Sequence, residues 1–222
     1  MNLDNIDSTP IQRISEKINN NNFYMKRDDF IPISFGGNKA RKAILFFKEV
    51  KKEAADCIVT YGSSTSNHCR IISNVAAAQN IPCYIVSPDE VLKPSFNYDL
   101  INLFNAQIIY CSVDKVKETL HNLINNLKKN GYKPYFIQGG GHGNIGTQAY
   151  VSAFKEILDY EKKTGINFDY IFHASGTGTT QAGLICGKII NRDNKEVIGI
   201  SITRKNTYGK KVIMDRVNSY LN

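Results

Sequence analysis

"HASGTGTTQAGL", residues 173–184, decides how this chain folds. It follows the apolar run "DYIFHA" (169–174), which reads as a strand, and it opens a pattern that continues as a helix to about residue 191. Two glycines and several hydroxyls between a strand and a helix leave the free N–H groups of the helix start open to an anion, and the helix dipole adds to the attraction. A tight turn with Ser and Thr as caps would use the same residues. The rest of the chain separates the two readings.

Outward from this stretch the pattern is alternation. Strand-like runs lie at "FYMKR" (23–27), "CIVTY" (57–61), "PCYIV" (82–86), "QIIYC" (107–111), "PYFIQ" (134–138) and "VIGISI" (197–202). Between them are helix patterns: Ala43, Ile44, Phe47, Val50 and Ala54 recur at steps of three and four, and similar segments follow at about 65–79, 97–105, 113–129, 145–163, 179–191 and 207–221. Such an order predicts an α/β protein with mostly parallel sheets covered by helices, and ligands at the carboxyl ends of strands.

Two more strand-to-helix junctions carry chemistry. In "SFGGNKARK" (34–42), Gly36 and Gly37 allow close approach of the backbone, Asn38 can cap the following helix, and Lys39 sits in its first turn. In "YGSSTSNHCR" (61–70), hydroxyls, an amide and an imidazole gather at a helix start. A competing motif, "GHGNIG" (141–146), matches the dinucleotide pattern G-x-G-x-x-G, but the next strand ends "FHASG" with no acid at its tip to hold a ribose. Dinucleotide binding stays a minor alternative.

The composition of this 222-residue chain, 42% hydrophobic and 22% charged, is that of an ordinary globular protein. No apolar run is long enough to span a bilayer and the N-terminus is too polar for a signal peptide, which predicts a cytoplasmic protein with no membrane partner. The net charge of +8 is spread over small clusters such as "KEVKKE" and "RKNTYGKK" without interleaved aromatics, a solvated surface rather than a nucleic-acid stripe. Five widely spaced cysteines without zinc spacing predict reduced thiols and no metal site.

A lysine on a glycine turn, a polar helix start and an anion loop, brought to one face by their strands, suit pyridoxal 5′-phosphate, whose aldehyde condenses with a lysine and whose phosphate needs a helix N-terminus. In order and spacing, "KRDDF" (26–30), "FGGNKARK", "SNHCR" and "SGTGTTQAGL" resemble the pyridoxal-phosphate enzymes of fold type II, the tryptophan synthase β-like group, and within it the D-cysteine desulfhydrase and 1-aminocyclopropane-1-carboxylate deaminase family. The resemblance runs from about Tyr24 to about Arg204. It implies two three-layer α/β domains, a homodimer, and a small amino acid as substrate.

By resemblance, Lys39 is the Schiff-base lysine and Lys42 approaches the cofactor phosphate. Ser66 assists proton transfer, Asn67 lies beside the 3-hydroxyl, and His68 meets the substrate carboxylate. Gly176, Thr177, Gly178, Thr179 and Thr180 form the phosphate cup. The histidine in "SNH", where the deaminases tend to carry glutamine, favours D-cysteine desulfhydration to pyruvate, ammonia and sulfide. Deamination of the cyclopropane substrate, or cofactor binding without catalysis, are the alternatives. Family members run past 300 residues, so the chain is expected to be C-terminally shortened, as a fragment or as a short relative. The implied layout is a larger cofactor domain of 1–43 and 140–222 and a smaller inserted α/β domain of 44–139, with the active site in the cleft.

Overall fold

A computed structural model describes residues 3, 8–16, 19–88 and 95–222. Residues 1, 2, 4–7, 17, 18 and 89–94, which fall inside the two expected domains, lie outside the described residues. The chain divides into two compact units, one of Met1–Asp4 with Ala43–Gly141 and one of Asn5–Lys42 with His142–Asn222.

The second unit begins with two short antiparallel strands, β1 (Ile11–Arg13) and β2 (Tyr24–Lys26). A single 3-10 turn, Asp28–Phe30, follows and leads to the start of α1 (Asn38–Lys52), whose later residues belong to the first unit. That first unit is a parallel sheet of β3 (Cys57–Tyr61), β4 (Cys83–Pro88), β5 (Gln107–Cys111) and β6 (Pro134–Ile137) in the order β5-β4-β3-β6. Its connecting helices are α2 (Asn67–Ala78), α3 (Phe96–Leu103) and α4 (Val116–Lys129).

The strand order fixes the layers. Right-handed crossovers from β3 through β4 to β5 put α2 and α3 on one face, and the return from β5 to β6 puts α4 on the other. The alternation along β3 agrees, because Cys57 and Val59 pack with Leu127 of α4 while Thr60 reaches His68 of α2.

The second unit continues with α5 (Asn144–Thr164), β7 (Tyr170–Ser175), α6 (Thr179–Asn191), β8 (Glu196–Ser201) and α7 (Asn206–Leu221). β7 and β8 pair in parallel, Tyr170 opposite Glu196 through Ser175 opposite Ser201. Helices α5 and α6 approach closely because α6 offers small residues at the crossing. A Cβ on Gly183 would fall 2.4 Å from the Thr147 carbonyl oxygen, and one on Gly187 2.5 Å from the Phe154 Cβ. α7 packs on the same pair, with Val217 buried against Ala182 and Cys186.

The α/β class and its mostly parallel pairing are as the sequence predicts. β1 was not predicted, since three partly exposed residues give no readable period. All five cysteines are free thiols. Among the described residues no helix is long and apolar enough to cross a membrane.

Candidate functional site

Lys39 is reached through four consecutive left-handed residues, Ser34, Phe35, Gly36 and Gly37, with φ of 38°, 64°, 62° and 90°. Two of these are not glycine, a conformation that costs about 1 kcal/mol or more each and persists only where the surroundings enforce it. The enforcing group is the 3-10 turn. Gly37 N–H donates to the Asp28 carbonyl at 2.7 Å, and a Cβ on Gly36 would fall 2.5 Å from that same oxygen.

Asp28 is in turn held from below. Arg41 donates to both its oxygens at 3.0 and 2.7 Å, Tyr150 donates at 2.7 Å and Thr9 at 2.9 Å. Arg41 also binds Glu156 at 2.5 Å, and Lys26 pairs with that carboxylate at 2.5 Å. Burial would push the Asp28 carboxyl up, but the hydrogen bonds and charge of Arg41, with Tyr150 and Thr9, hold it below the usual carboxylate range.

Past the turn, α1 presents two lysines to the second unit. Lys39 is half-buried, and burial lowers its pKa. Lys42 is 1% exposed and its Nζ has no hydrogen-bond partner among the described residues. Burial, and then the charges of Lys39 and Arg216, hold its pKa well below the ordinary lysine value. Asn38 does not cap α1 as expected. Gly37 takes that place, its carbonyl accepting from Ala40 and Arg41 N–H at 3.0 and 3.2 Å, so Asn38 is the first helical residue and its Nδ2 donates to Thr180 Oγ1 at 3.2 Å.

That bond ties the lysine turn to the glycine-threonine loop. Gly178 precedes α6 with φ of 85°, and a Cβ there would crowd Ile213 at 3.1 Å. Gly178, the N-cap of α6, has no side chain to cap it, Thr179 and Thr180 are buried, and Thr179 Oγ1 has no partner among the described residues. Among the described residues a buried amine and, at the start of a thirteen-residue helix, a buried hydroxyl are thus left without a hydrogen-bond partner. The energetic demand is for an anion, since each such group buried unpaired costs about 1–3 kcal/mol. A cavity of about 390 Å³ adjoins Ser175, Gly176 and Gly178 and shares its wall with Arg204. Lys39 and Lys42 do not line it, so the lysines and the loop, rather than this cavity, define the candidate site.

The first unit carries "SNHCR" at the start of α2. Ser66 is the N-cap, its Oγ accepting from His68 N–H at 3.1 Å. Asn67 Oδ1 accepts from Asn97 Nδ2 at 3.0 Å, and Asn97 also donates to the Thr65 carbonyl at 2.7 Å. His68 is buried, with Nε2 2.9 Å from Thr60 Oγ1. The single Thr60 hydroxyl proton goes to the Ile137 carbonyl at 2.7 Å, which makes His68 Nε2 the donor.

The structure therefore gathers Lys39, Lys42 and the loop Gly176–Thr180 within one unit, and places Ser66, Asn67 and His68 together in the other. Sequence reading missed Asn97, Arg204 and Arg216. Arg216 Nε donates to the Thr177 carbonyl at 3.2 Å, and Arg204 Nη1 donates to that of Gly176. These are isolated residues far along the chain with no motif of their own.

The chain is 31% identical over 207 residues to the D-cysteine desulfhydrase of Serratia proteamaculans, covering 89% of this chain and 63% of that protein. It is 32% identical over 188 residues to that of Salmonella paratyphi A, covering 82% and 57%. The chain thus spans less than two thirds of the length of these relatives. Among solved structures it is similar to an ACC deaminase homologue, with a TM-score of 0.84 and 28% identity over 96% of this chain and 66% of that one. A pyridoxal 5′-phosphate-dependent aspartate racemase shares the fold, with a TM-score of 0.68 at 21% identity, over 96% of this chain and 62% of that one. The family model for pyridoxal-phosphate dependent enzymes matches residues 3–219, and the chain belongs to that family.

Proposed function

We propose that this chain holds pyridoxal 5′-phosphate between the lysine turn and the loop Gly176–Thr180, and that it serves the elimination of sulfide from D-cysteine with release of pyruvate and ammonia. The observation that carries the cofactor reading is that Lys42 Nζ and the Thr179 hydroxyl at the start of α6, both buried and in the same unit, have no hydrogen-bond partner among the described residues. A phosphate dianion satisfies both and accepts from the loop N–H groups. Bound there, the cofactor supplies an aldehyde for condensation with an amine and a ring that takes up electron density from a breaking bond.

The chain's own residues do the rest. Lys39 Nζ, whose pKa burial lowers, is the attaching amine and the group that moves a proton at the substrate carbon. Lys42 neutralises the phosphate. Ser66 Oγ assists proton transfer, Asn67 lies beside the 3-hydroxyl, and His68 meets the substrate carboxylate. We propose with this a cofactor domain of 1–43 and 140–222, an inserted domain of 44–139, and a homodimer.

The D-cysteine assignment is supported by the relatives' names and by His68 in "SNH". The structural likeness to an ACC deaminase homologue supports a second reading, deamination of a cyclopropane amino acid. The test is release of sulfide, pyruvate and ammonia from both enantiomers of cysteine, run beside 1-aminocyclopropane-1-carboxylate. Sulfide from the D-enantiomer is expected. Ammonia from the cyclopropane substrate without sulfide from cysteine would move the chain to the second reading, and failure to bind the cofactor at all would end both.

A further inference from the structure

The loop at 176–180 has two sides, and the residues on its outer side decide what its inner side offers. The Gly176 carbonyl accepts from Thr203 Oγ1 at 3.2 Å and from Arg204 Nη1, and the Thr177 carbonyl accepts from Arg216 Nε at 3.2 Å. The described chain has no cis peptide bonds. In a trans peptide the carbonyl of one residue and the N–H of the next point to opposite sides. Holding the Thr177 carbonyl with Arg216 therefore turns the Gly178 N–H away from that arginine, and Arg204 does the same for the N–H of Thr177.

Arg216 makes a second contact. Its Nη2 lies 3.3 Å from His142 Nδ1. A guanidinium only donates, so Nδ1 is the acceptor and a neutral imidazole must carry its proton on Nε2. Burial, and then the charges of Arg216, Lys42, Arg204 and Lys39, push the His142 pKa down to about 3, which keeps the ring neutral. The resulting Nε2–H is buried and has no acceptor among the described residues. It joins Lys42 Nζ and Thr179 Oγ1 as a donor left unpaired in the same unit. His142 lies in "GHGNIG", the motif that otherwise has no part in the site.

We propose that Arg216, carried on α7, is a positioning residue of the phosphate site: by holding the Thr177 carbonyl and His142 Nδ1 it presents the Gly178 N–H and the His142 Nε2–H to the ligand's phosphate. The proposal rests on the cofactor reading above and adds two residues to it.

The experiment compares affinities of the full chain for pyridoxal 5′-phosphate and for pyridoxal, which lacks the phosphate. Wild type should prefer the phosphorylated form strongly. In R216Q that preference should fall by about tenfold or more, with pyridoxal binding little changed, because a charge-assisted contact to the phosphate's donors is lost. R216K keeps the charge without the two-armed geometry and should restore less than half of the preference on a logarithmic scale. H142F, which spares Arg216, should lower it several-fold and serves if R216Q does not fold. Nitrogen-15 spectra should show His142 with its proton on Nε2 in wild type and a mixture of tautomers in R216K. A wild type that binds neither compound overturns the cofactor reading and this proposal with it. A wild type that prefers the phosphate, with R216Q, R216K and H142F unchanged in that preference, overturns the role of Arg216 alone. Full restoration by R216K would reduce it to a bare charge and overturn the positioning role.

Discussion

The starts of α2 and α6 are two polar helix N-termini that look alike in sequence and differ in their hydrogen bonding. At α2 the Ser66 hydroxyl caps His68 N–H, Asn97 ties Asn67, and Thr60 holds His68. At α6 the N-cap Gly178 offers no side chain, and among the described residues Thr179 Oγ1 and, in the same unit, the buried Lys42 Nζ have no partner. The hydrogen bonds of the first helix start close on the protein, whereas among the described residues the second leaves the Thr179 hydroxyl, and its unit the Lys42 amine, without a partner. Polar residues at a helix start thus mark a binding site when their hydrogen bonds do not close on the protein itself.

The contrast can be broken experimentally. The largest effect should come from Lys39→Ala, which is expected to abolish the visible absorption of the cofactor-loaded chain and any turnover; a retained band would place the attaching amine elsewhere. Next, Asp28→Asn should cost about 3–5 kcal/mol in urea unfolding, since it strands Arg41 in a buried network. Because the folded pKa of Asp28 is depressed, its stabilisation is present above the unfolded value, near 3.8, and is lost as pH falls through the folded one. The variant should therefore lack that part of the wild type's acid sensitivity.

Lys42→Met should weaken pyridoxal 5′-phosphate by about a hundredfold yet stabilise the ligand-free chain by about 1–3 kcal/mol, by removing a buried unpaired amine. The sign follows from linkage. The folded pKa of Lys42 lies below its unfolded value of 10.5, so the native state binds fewer protons between the two and wild-type stability falls as pH drops through that window. At a pH inside that window ligand binding should take up a proton, measurable as a buffer-dependent binding enthalpy, and the variant should not. Smallest is Ser66→Ala, expected to cost about 1 kcal/mol of stability as a lost cap while leaving cofactor affinity unchanged. Turnover should fall with the lost proton-transfer hydroxyl, and a fall in cofactor affinity there would show that the Ser66 hydroxyl itself holds the cofactor.

Much of this was legible because it is local. The apolar run "CIVTY" and the Gly-Thr run before α6 announce strand, loop and helix within a few residues, and β3 and α6 lie where the pattern puts them. The outer face of the anion loop was not legible, since Arg216 meets His142 across 74 positions and Asn38 meets Thr180 across 142. Such pairs follow from packing and carry no signature in either segment. Asn38 shows the limit most plainly: its type suits a cap, but the left-handed Gly37 already fills that place.

The run of left-handed residues from Ser34 to Gly37 has a consequence for protein design. A reactive lysine is often thought of as a short motif that can be grafted by copying a few residues. Here "FGGNK" cannot stand alone, because its shape is dictated by the Asp28 carbonyl, and Asp28 is fixed by Arg41, Tyr150 and Thr9. The smallest transplantable cassette is residues 26–42 with counterparts of Thr9, Tyr150 and Glu156 already waiting on the host scaffold.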